Sequence, residues 1–215
     1  RLVESKMGIE WLEPLGRGFS VTLQFFVITL VLSLPLGLLL AVLNRYLPKW
    51  LQALMQVYIY VFRGTPLLLQ MMFVFFGLPL IGLVLDRFES AVLTLVLNYT
   101  AYFIEIFRGG IQTVPIGQFE SIKVLSISPL AGWRKIILPQ VWRIVMPSIG
   151  NEVITLIKDT SLIYVLGLEE LLKVGKALSN QQASLLPYVY VGLIYLIFTG
   201  MTTVILKQIE KRMGV

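Results

Sequence analysis

The amino-acid sequence predicts an all-α membrane protein with about five transmembrane helices, interrupted once by a polar stretch. Of its 215 residues, 57% are hydrophobic and only 14% are charged, whereas a soluble domain carries about 25% charged residues. Several apolar runs approach or exceed the length of about 20 residues that an α-helix needs to cross a bilayer. Composition and run length together place the chain in a membrane.

Apolar segments predicted to cross the membrane are, in order, 19–43, 67–85, 90–107, 141–168 and 186–206. Pro35 and Gly37 lie inside the first of them, which transmembrane helices tolerate better than soluble helices do. Residues 51–62 are only moderately apolar and form either an interfacial helix or the beginning of a span. The motif Arg63-Gly64-Thr65-Pro66 that follows is interpreted as an elbow, with a helix break beside a transport path as the alternative.

The distribution of Lys and Arg predicts an outside N-terminus and a cytosolic C-terminus, because cytoplasmic loops carry an excess of both. With five spans, ten of these cations fall inside, namely Arg45, Lys49, Arg108, Lys123, Arg134, Lys135, Arg143, Lys207, Lys211 and Arg212. Six fall outside, namely Arg1, Lys6, Arg17, Arg87, Lys173 and Lys176. The chain therefore divides into an N-terminal extracytoplasmic segment 1–18, a transmembrane domain 19–206 and a cytosolic C-terminal tail 207–215.

Residue usage argues against several classes of function. The net charge is +6, but the cations lie beside apolar spans without interleaved aromatics, so no nucleic-acid partner is expected. Lys207, Lys211 and Arg212 are instead predicted to meet anionic lipid. The sequence has no Cys and no His, which argues against thiol catalysis and His-based metal sites. It also lacks the phosphate-loop, HExxH and GxSxG patterns, so we expect no catalytic residue, cofactor or metal in this chain.

Residues 114–140 form the longest amphipathic, charge-bearing interruption between two apolar spans. Pro115 and Gly117 are predicted to end one helix and to open a short second one over 118–125. That helix begins with Phe119 and Glu120, and its apolar residues recur at intervals of three, at Phe119, Ile122 and Leu125. We expect these residues to give the element an apolar face.

A second short helix is predicted over 130–137, after a turn at 126–128. Ser128 suits an N-cap, and Pro129 suits the first helical position behind it. Pro139 is predicted to stop this helix. Two short helices around a tight turn form a knob that fits a partner's groove. The alternative, an interfacial hairpin that binds nothing, has equal support from the pattern alone.

The hairpin resembles the EAA loop of ABC importer permeases, whose pattern is Glu-Ala-Ala, then Gly, then Ile and Leu-Pro. Here the pattern reads Glu120-Ser121-Ile122, Ser126 and Ile137-Leu138-Pro139, with Ser121, Ile122 and Ser126 departing from it. Further motifs resemble the polar amino acid uptake subfamily, namely Arg63-Gly64-Thr65-Pro66, Ala101-Tyr102, Glu105, Arg108-Gly109-Gly110-Ile111-Gln112, Pro115, Gly117-Gln118, Gly150-Asn151-Glu152 and Lys158-Asp159-Thr160-Ser161-Leu162. The resemblance covers residues 19 to the C-terminus.

The resemblance implies a type I ABC importer permease fold in the bacterial cytoplasmic (inner) membrane. Such a subunit translocates polar amino acids and is not itself an enzyme, because a separate cytosolic ATPase subunit binds and hydrolyses ATP. The implied partners are that ATPase, a second permease copy or paralogue in a dimer, an extracytoplasmic solute-binding protein and membrane lipid. The residues implied to contact the ATPase are Phe119, Glu120, Ser121, Ile122, Leu125, Ser126 and Pro139.

Polar residues inside the spans are the candidates for a substrate path. Glu152 and Asp159 lie about two helical turns apart on one face, and charged groups at membrane depth face a bundle interior or a wet cavity. They either meet a substrate ammonium or pair with a neighbour such as Lys158. Asn98 and Tyr102 share a face one turn apart and either bind substrate or hold helices together. Thr160 completes the candidate path within the subfamily motif.

Glu105 and Arg108, three residues apart, are predicted to form an intrahelical pair at the cytosolic end of the third span. Two other functions remain as alternatives. One is an ion- or proton-coupled secondary transporter or channel that uses Glu152 and Asp159, although the inverted repeats typical of such proteins are absent from the sequence. The other is an intramembrane enzyme, which the lack of His and Cys disfavours.

Overall fold

A computed structural model describes the backbone of residues 2–214 and the side chains of residues 10–214. That stretch contains helices and no strand, which confirms the all-α prediction. The side chains of Arg1 and Lys6, counted above for orientation, lie outside the described residues. The long helices are α1 (Leu2–Asn44), α4 (Arg87–Thr113), α7 (Leu138–Asp159) and α9 (Leu186–Met213), and the shorter ones are α2 (Lys49–Gly64), α3 (Leu67–Met72), α5 (Ile116–Val124), α6 (Pro129–Gly132) and α8 (Leu171–Gln182).

Helix α1 runs without a break through residue 18, the boundary predicted between the N-terminal segment and the first span. Its early part is held by apolar contacts with the elements that follow α7. Trp11 and Leu15 are buried in a small cluster with Leu171 of α8 and Val191 of α9. The N-terminal segment is therefore helical because α8 and α9 cover one of its faces.

Among the residues that the structure describes, three helical stretches are long and apolar enough to cross a membrane: Glu10–Asn44, Arg87–Thr113 and Leu186–Met213. Helix α2 and the stretch Leu67–Ile81 form a pair bent by 108°, which would make a fourth span. The bend follows from Pro66, because a proline disfavours helical geometry in the residue before it, and Thr65 is extended, with φ −120° and ψ 151°. The chain therefore bends sharply at this motif, as both interpretations of it require, and the choice between them stays a prediction.

The remaining predicted span, 141–168, begins in α7, which is less apolar because it carries Arg143, Glu152, Lys158 and Asp159. It packs against both α4 and α9, so protein rather than lipid covers much of its surface. A span in this position needs less apolar surface than one that faces lipid. Its crossing of the membrane stays a prediction.

Helix α4 is the centre of the bundle and packs against α1, α2, α3 and α7. Small residues allow two of these neighbours to come close. A Cβ on Gly37 of α1 would lie 2.5 Å from Cβ of Phe103, and a Cβ on Gly110 of α4 would lie 2.2 Å from Cγ1 of Val145. Both distances are far below van der Waals contact, so glycine is required for the observed crossings.

The crossing of α4 and α7 predicts that alanine is harmful at Gly110 but not at the neighbouring Gly109. Gly110→Ala forces its new methyl group into Val145, and overpacking of this kind costs about 1–3 kcal/mol. We expect a lower melting temperature of the purified protein in detergent. Gly109→Ala is the matched control, because its Cβ would meet nothing within 4 Å. Equal melting temperatures for the two variants would contradict the close crossing.

Candidate functional site

The polar stretch between α4 and α7 folds into two short helices around a turn. Helix α5 begins behind Pro115, and a turn with Ser126 at φ 51° joins it to α6. The hydroxyl of Ser128 accepts a hydrogen bond from the backbone N–H of Ala131, and Pro129 occupies the first turn of α6. The predicted helix break, cap and turn are therefore confirmed. Ser126, at the position of the family's glycine, adopts the left-handed conformation that glycine favours.

Pro139 does not stop the second helix, so that prediction is wrong. Helix α6 passes through a π-helical turn, Trp133–Ile137, directly into α7, and Pro139 lies in the first turn of α7. A proline inside a regular helix clashes with the carbonyl four residues earlier. The wider π turn just before Pro139, closed by a hydrogen bond from the N–H of Leu138 to the carbonyl of Trp133, lets the helix continue.

The three apolar residues that were predicted to share one face of the hairpin differ in how deeply they are buried. Ile122 is buried, with 9% of its surface exposed, and a Cβ on Gly132 would lie 2.8 Å from its Cγ2 atom. Phe119 is half-buried and packs edge-on against Trp133. Leu125 is 69% exposed. Ile122 and Phe119 therefore hold the two short helices together, and only Leu125 is freely presented to solvent.

The most exposed apolar side chains of the hairpin belong to two residues that were not predicted to lie on its apolar face. Val124 is 81% exposed and Leu130 is 79% exposed. Together with Leu125 they flank the turn between α5 and α6, and we call these three residues the outer face of the hairpin. Glu120 and Ser121 are exposed beside it, and the Ser121 hydroxyl donates to the carbonyl of Gly117.

Asn98 holds the bent pair α2–α3 to α4. Its side-chain amide donates to the carbonyl of Phe62 at 3.1 Å and to Oε1 of Gln70 at 2.9 Å. The amide of Gln70 in turn donates to Phe62 and to the backbone and hydroxyl oxygens of Thr65. These bonds satisfy carbonyls that the helix break leaves open. The helix-holding interpretation of Asn98 agrees with this geometry.

Asp159 accepts a hydrogen bond of 2.7 Å from the hydroxyl of Tyr99, which is itself fully buried. Glu152 is half-buried on the same helix, seven positions and about two turns before Asp159. Thr160 is buried and donates to the carbonyl of Ile157. The structure therefore groups Glu152 and Asp159, and it places Thr160 away from the surface.

Glu105 and Arg108 form the predicted intrahelical pair, with 2.9 Å between Arg108 Nε and Glu105 Oε2. Arg63 joins them from α2, since its Nη1 atom lies 3.9 Å from Glu105 Oε1. The guanidinium of Arg63 also lies over the Tyr102 ring, 5.3 Å from the centroid. An open cleft of about 380 Å³ between α2 and α4 is lined by Arg63, Tyr102 and Glu105.

Tyr99, Gln70 and Arg63 are the polar partners that sequence reasoning did not assign. Gln70 had a signal, because a lone amide in an apolar run requires a partner in lipid. Its pairing with Asn98 spans 28 positions and follows from the bend, which the sequence indicates only as an elbow. In the sequence, nothing distinguishes Tyr99 from any other aromatic residue of an apolar helix. Its contact with Asp159 depends on the rotation of α4 about its axis.

Glu170 is a further buried carboxyl that the sequence reading passed over. It has no exposed surface and caps α8 by accepting hydrogen bonds from the backbone N–H groups of Leu172 and Lys173. The hydroxyl of Tyr195 on α9 also donates to it, at 3.2 Å. Burial raises the pKa of Glu170, while these hydrogen bonds and the nearby Lys173 oppose the rise.

The sequence of this chain is similar to a family of membrane transport components and to curated permeases. The family described as "Binding-protein-dependent transport system inner membrane component" matches residues 33–215. The chain is 36% identical to the arginine transport system permease protein ArtQ of Bacillus subtilis over 204 residues, covering 91% of this chain and 90% of that protein. It is also 36% identical to the glutamine transport system permease protein GlnP of Escherichia coli over 202 residues, covering 92% of each.

Solved structures agree with these sequence matches. The crystal structure of an amino acid ABC transporter with histidines superposes with a TM-score of 0.85 at 28% identity, covering 95% of this chain and 96% of that chain. An inward-facing MetNI methionine ABC transporter superposes with a TM-score of 0.74 at 16% identity, covering 96% and 98%. The second match concerns the fold alone.

The environment of Glu170 predicts a pH dependence of stability. A carboxyl whose pKa is raised by folding binds more protons when folded than when unfolded. Its contribution to the free energy of unfolding is therefore fully present below the unfolded pKa of about 4.3 and declines as the pH rises through the folded pKa. We expect Glu170→Gln, which stays neutral, to lose this decline.

Thermal unfolding in detergent, measured from acidic to neutral pH, checks this expectation. The melting temperature of Glu170→Gln should change less with pH than that of the parent protein. Glu169→Gln is the matched control, since Glu169 is the exposed neighbour and should behave like the parent. Identical pH profiles for Glu170→Gln and the parent would contradict the assignment.

Proposed function

The chain belongs to the family of binding-protein-dependent transport system inner membrane components, and from that premise we propose that it carries polar amino acids across the bacterial cytoplasmic membrane. It is the permease subunit of an ATP-binding-cassette importer and not an enzyme. The observation that carries the substrate class is that amino acid permeases match it over nine-tenths of both chains. The ion-coupled alternative gains no support from the relatives described above.

Membership of this family implies a partner ATPase and a solute-binding protein. We infer that ATP binds only to the ATPase and that this chain needs no cofactor, since its sequence lacks the phosphate-loop pattern. We further infer, from the family resemblance, that a second permease copy or paralogue completes the membrane unit as a dimer.

The hairpin is proposed to face the cytosol and to dock into the ATPase. The corner between α1 and α2 lies at the same end of the bundle as the hairpin, since Arg45 lies over the ring of Phe119. The opposite end holds α8 and the beginning of α4, where Arg87 lies beside Gly167. Assigning the cation-rich end to the cytosol puts the N-terminus outside and the C-terminus inside.

The substrate path is proposed to run past Glu152, Asp159 and Tyr102. Two carboxylates at membrane depth favour contact with a substrate ammonium, and Arg63 supplies a positive charge that suits a substrate carboxylate. Asn98 and Thr160, the remaining sequence candidates, are engaged with backbone carbonyls. Their contribution to transport is proposed to be structural.

The substrate class is tested in proteoliposomes that contain the permease, the ATPase and the binding protein. We expect saturable, ATP-dependent uptake of at least one labelled polar amino acid, with competition among related ones. Asp159→Asn should lower uptake while the ATPase stays bound, because the carboxylate lies far from the hairpin. Unchanged uptake with a lower folding yield would instead assign Asp159 only a structural role with Tyr99.

The docking proposal predicts that charge on the outer face of the hairpin weakens the ATPase complex. Truncation of a buried interface anchor typically costs about 2 kcal/mol or more, or roughly a thirty-fold loss of affinity. We expect a loss of this size for Leu125→Asp and Val124→Asp, and impaired binding for Glu120→Arg. Pull-down of the ATPase and ATP-driven uptake are the measurements.

Ile122→Asp is less informative, because Ile122 packs inside the hairpin and the variant would also disturb its fold. Leu185→Asp is the matched control, since Leu185 is an equally exposed leucine, 77%, at the opposite end of the bundle. Full ATPase retention and normal uptake for both Leu125→Asp and Val124→Asp would be incompatible with docking through the outer face.

A further inference from the structure

Two side chains of the corner between α1 and α2 contact two side chains of the hairpin. The hydroxyl of Tyr46 accepts a hydrogen bond of 2.7 Å from the indole Nε1–H of Trp133. The guanidinium of Arg45 lies 4.4 Å from the centroid of the Phe119 ring. Phe119 and Trp133 pack edge-on, with centroids 5.8 Å apart. We call these four residues the aromatic clamp.

The clamp brings together the corner after α1 and the hairpin, which are far apart in the sequence. Tyr46 and Trp133 are 87 positions apart, whereas the hairpin is attached by its own backbone to α4 and α7. The clamp is thus a direct attachment of the hairpin to the cytosolic end of α1. A cation over an aromatic ring and an edge-on ring pair both depend on orientation, so the clamp fixes direction as well as distance.

The corner that carries Arg45 and Tyr46 is itself well defined. The N–H of Tyr46 donates to the carbonyl of Leu43 at 2.8 Å, and the side-chain amide of Gln52 donates to the carbonyl of Leu47 at 2.9 Å. Pro48, whose φ is fixed by its ring, precedes α2. A displacement of the hairpin that moves Trp133 therefore acts on the end of α1 rather than being absorbed by a flexible loop.

Helix α1 can transmit such a displacement along the bundle. It packs against α4 at the close contact of Gly37 with Phe103, and its other end packs on α8 through Trp11 and Leu15. Packed elements move as units because their interfaces do not deform continuously. A displacement of the hairpin can thus be transmitted to the opposite end of the bundle through α1 as well as through α4 and α7.

We propose that Arg45 and Tyr46 are positioning residues that make α1 move with the hairpin when the ATPase displaces it. This role rests on the proposed docking function of the hairpin. It does not require either residue to touch the ATPase or the substrate. Loss of the clamp should therefore leave the ATPase bound and hydrolysing ATP, while fewer amino acids are transported per ATP.

The test uses the complete transporter in proteoliposomes with Tyr46→Phe, Trp133→Phe and the double variant. Tyr46→Phe removes only the hydroxyl acceptor, and Trp133→Phe removes the N–H donor. We expect each single change to lower the ratio of uptake to ATP hydrolysis roughly two- to ten-fold, the size expected for one lost hydrogen bond. The double variant should be little worse than either single one, because both remove the same bond.

Two further variants keep the test decisive. Arg45→Gln removes the charge over Phe119 without touching the hydrogen bond and should also lower the ratio. Trp50→Phe is the matched control for Trp133→Phe, since Trp50 is exposed near the same corner, and it should leave the ratio unchanged.

The possible outcomes separate the clamp from the docking proposal. A normal ratio in every clamp variant, or fully additive effects of Tyr46→Phe and Trp133→Phe, would overturn the clamp. Loss of ATPase binding in the clamp variants would also overturn it, by making the corner part of the docking surface. Failure of the outer-face variants Val124→Asp and Leu125→Asp to weaken binding would instead count against docking.

Discussion

The close packing of α1 and α7 against α4 is the constraint on which the other features depend. Lipid offers no hydrophobic drive for one apolar helix to seek another, so association relies on close contact between small residues. Gly37 and Gly110 provide that contact on two faces of α4. Because α4 ends at Thr113, directly before the hairpin, its position in the bundle also determines where the hairpin lies.

The polar residues of the spans fall into two groups with different consequences. An unsatisfied backbone group in hydrocarbon costs several kcal/mol, and the 108° bend after α2 opens such groups. Gln70 and Asn98 satisfy them and so tie the bend to α4. Arg63 instead contacts Glu105 and the Tyr102 ring, Glu152 is half-buried, and these opposite charges are the ones proposed to meet a zwitterionic solute. The first group maintains the bundle, and the second belongs to the substrate path proposed above.

The hairpin has an inner and an outer layer. Ile122 against Gly132 and Phe119 against Trp133 form the inner layer, which holds α5 and α6 together and contacts the corner of α1 and α2. Val124, Leu125 and Leu130 form the outer layer. In the proposed docking function, the inner layer and the continuous helix from α6 into α7 would carry a displacement of the outer layer to the spans.

The sequence by itself determined the all-α membrane fold, the beginning and the turn of the hairpin, the Ser128 cap and the Glu105–Arg108 pair. Each of these depends on composition or on residues within one helical turn, whose spacing fixes their proximity. Only the tertiary structure decided which hairpin residues face inward, how α6 continues through Pro139, and which distant groups meet, namely Asn98 with Gln70, Tyr99 with Asp159 and Tyr46 with Trp133. Those outcomes depend on the rotation and approach of whole helices, and no local spacing in the chain specifies either.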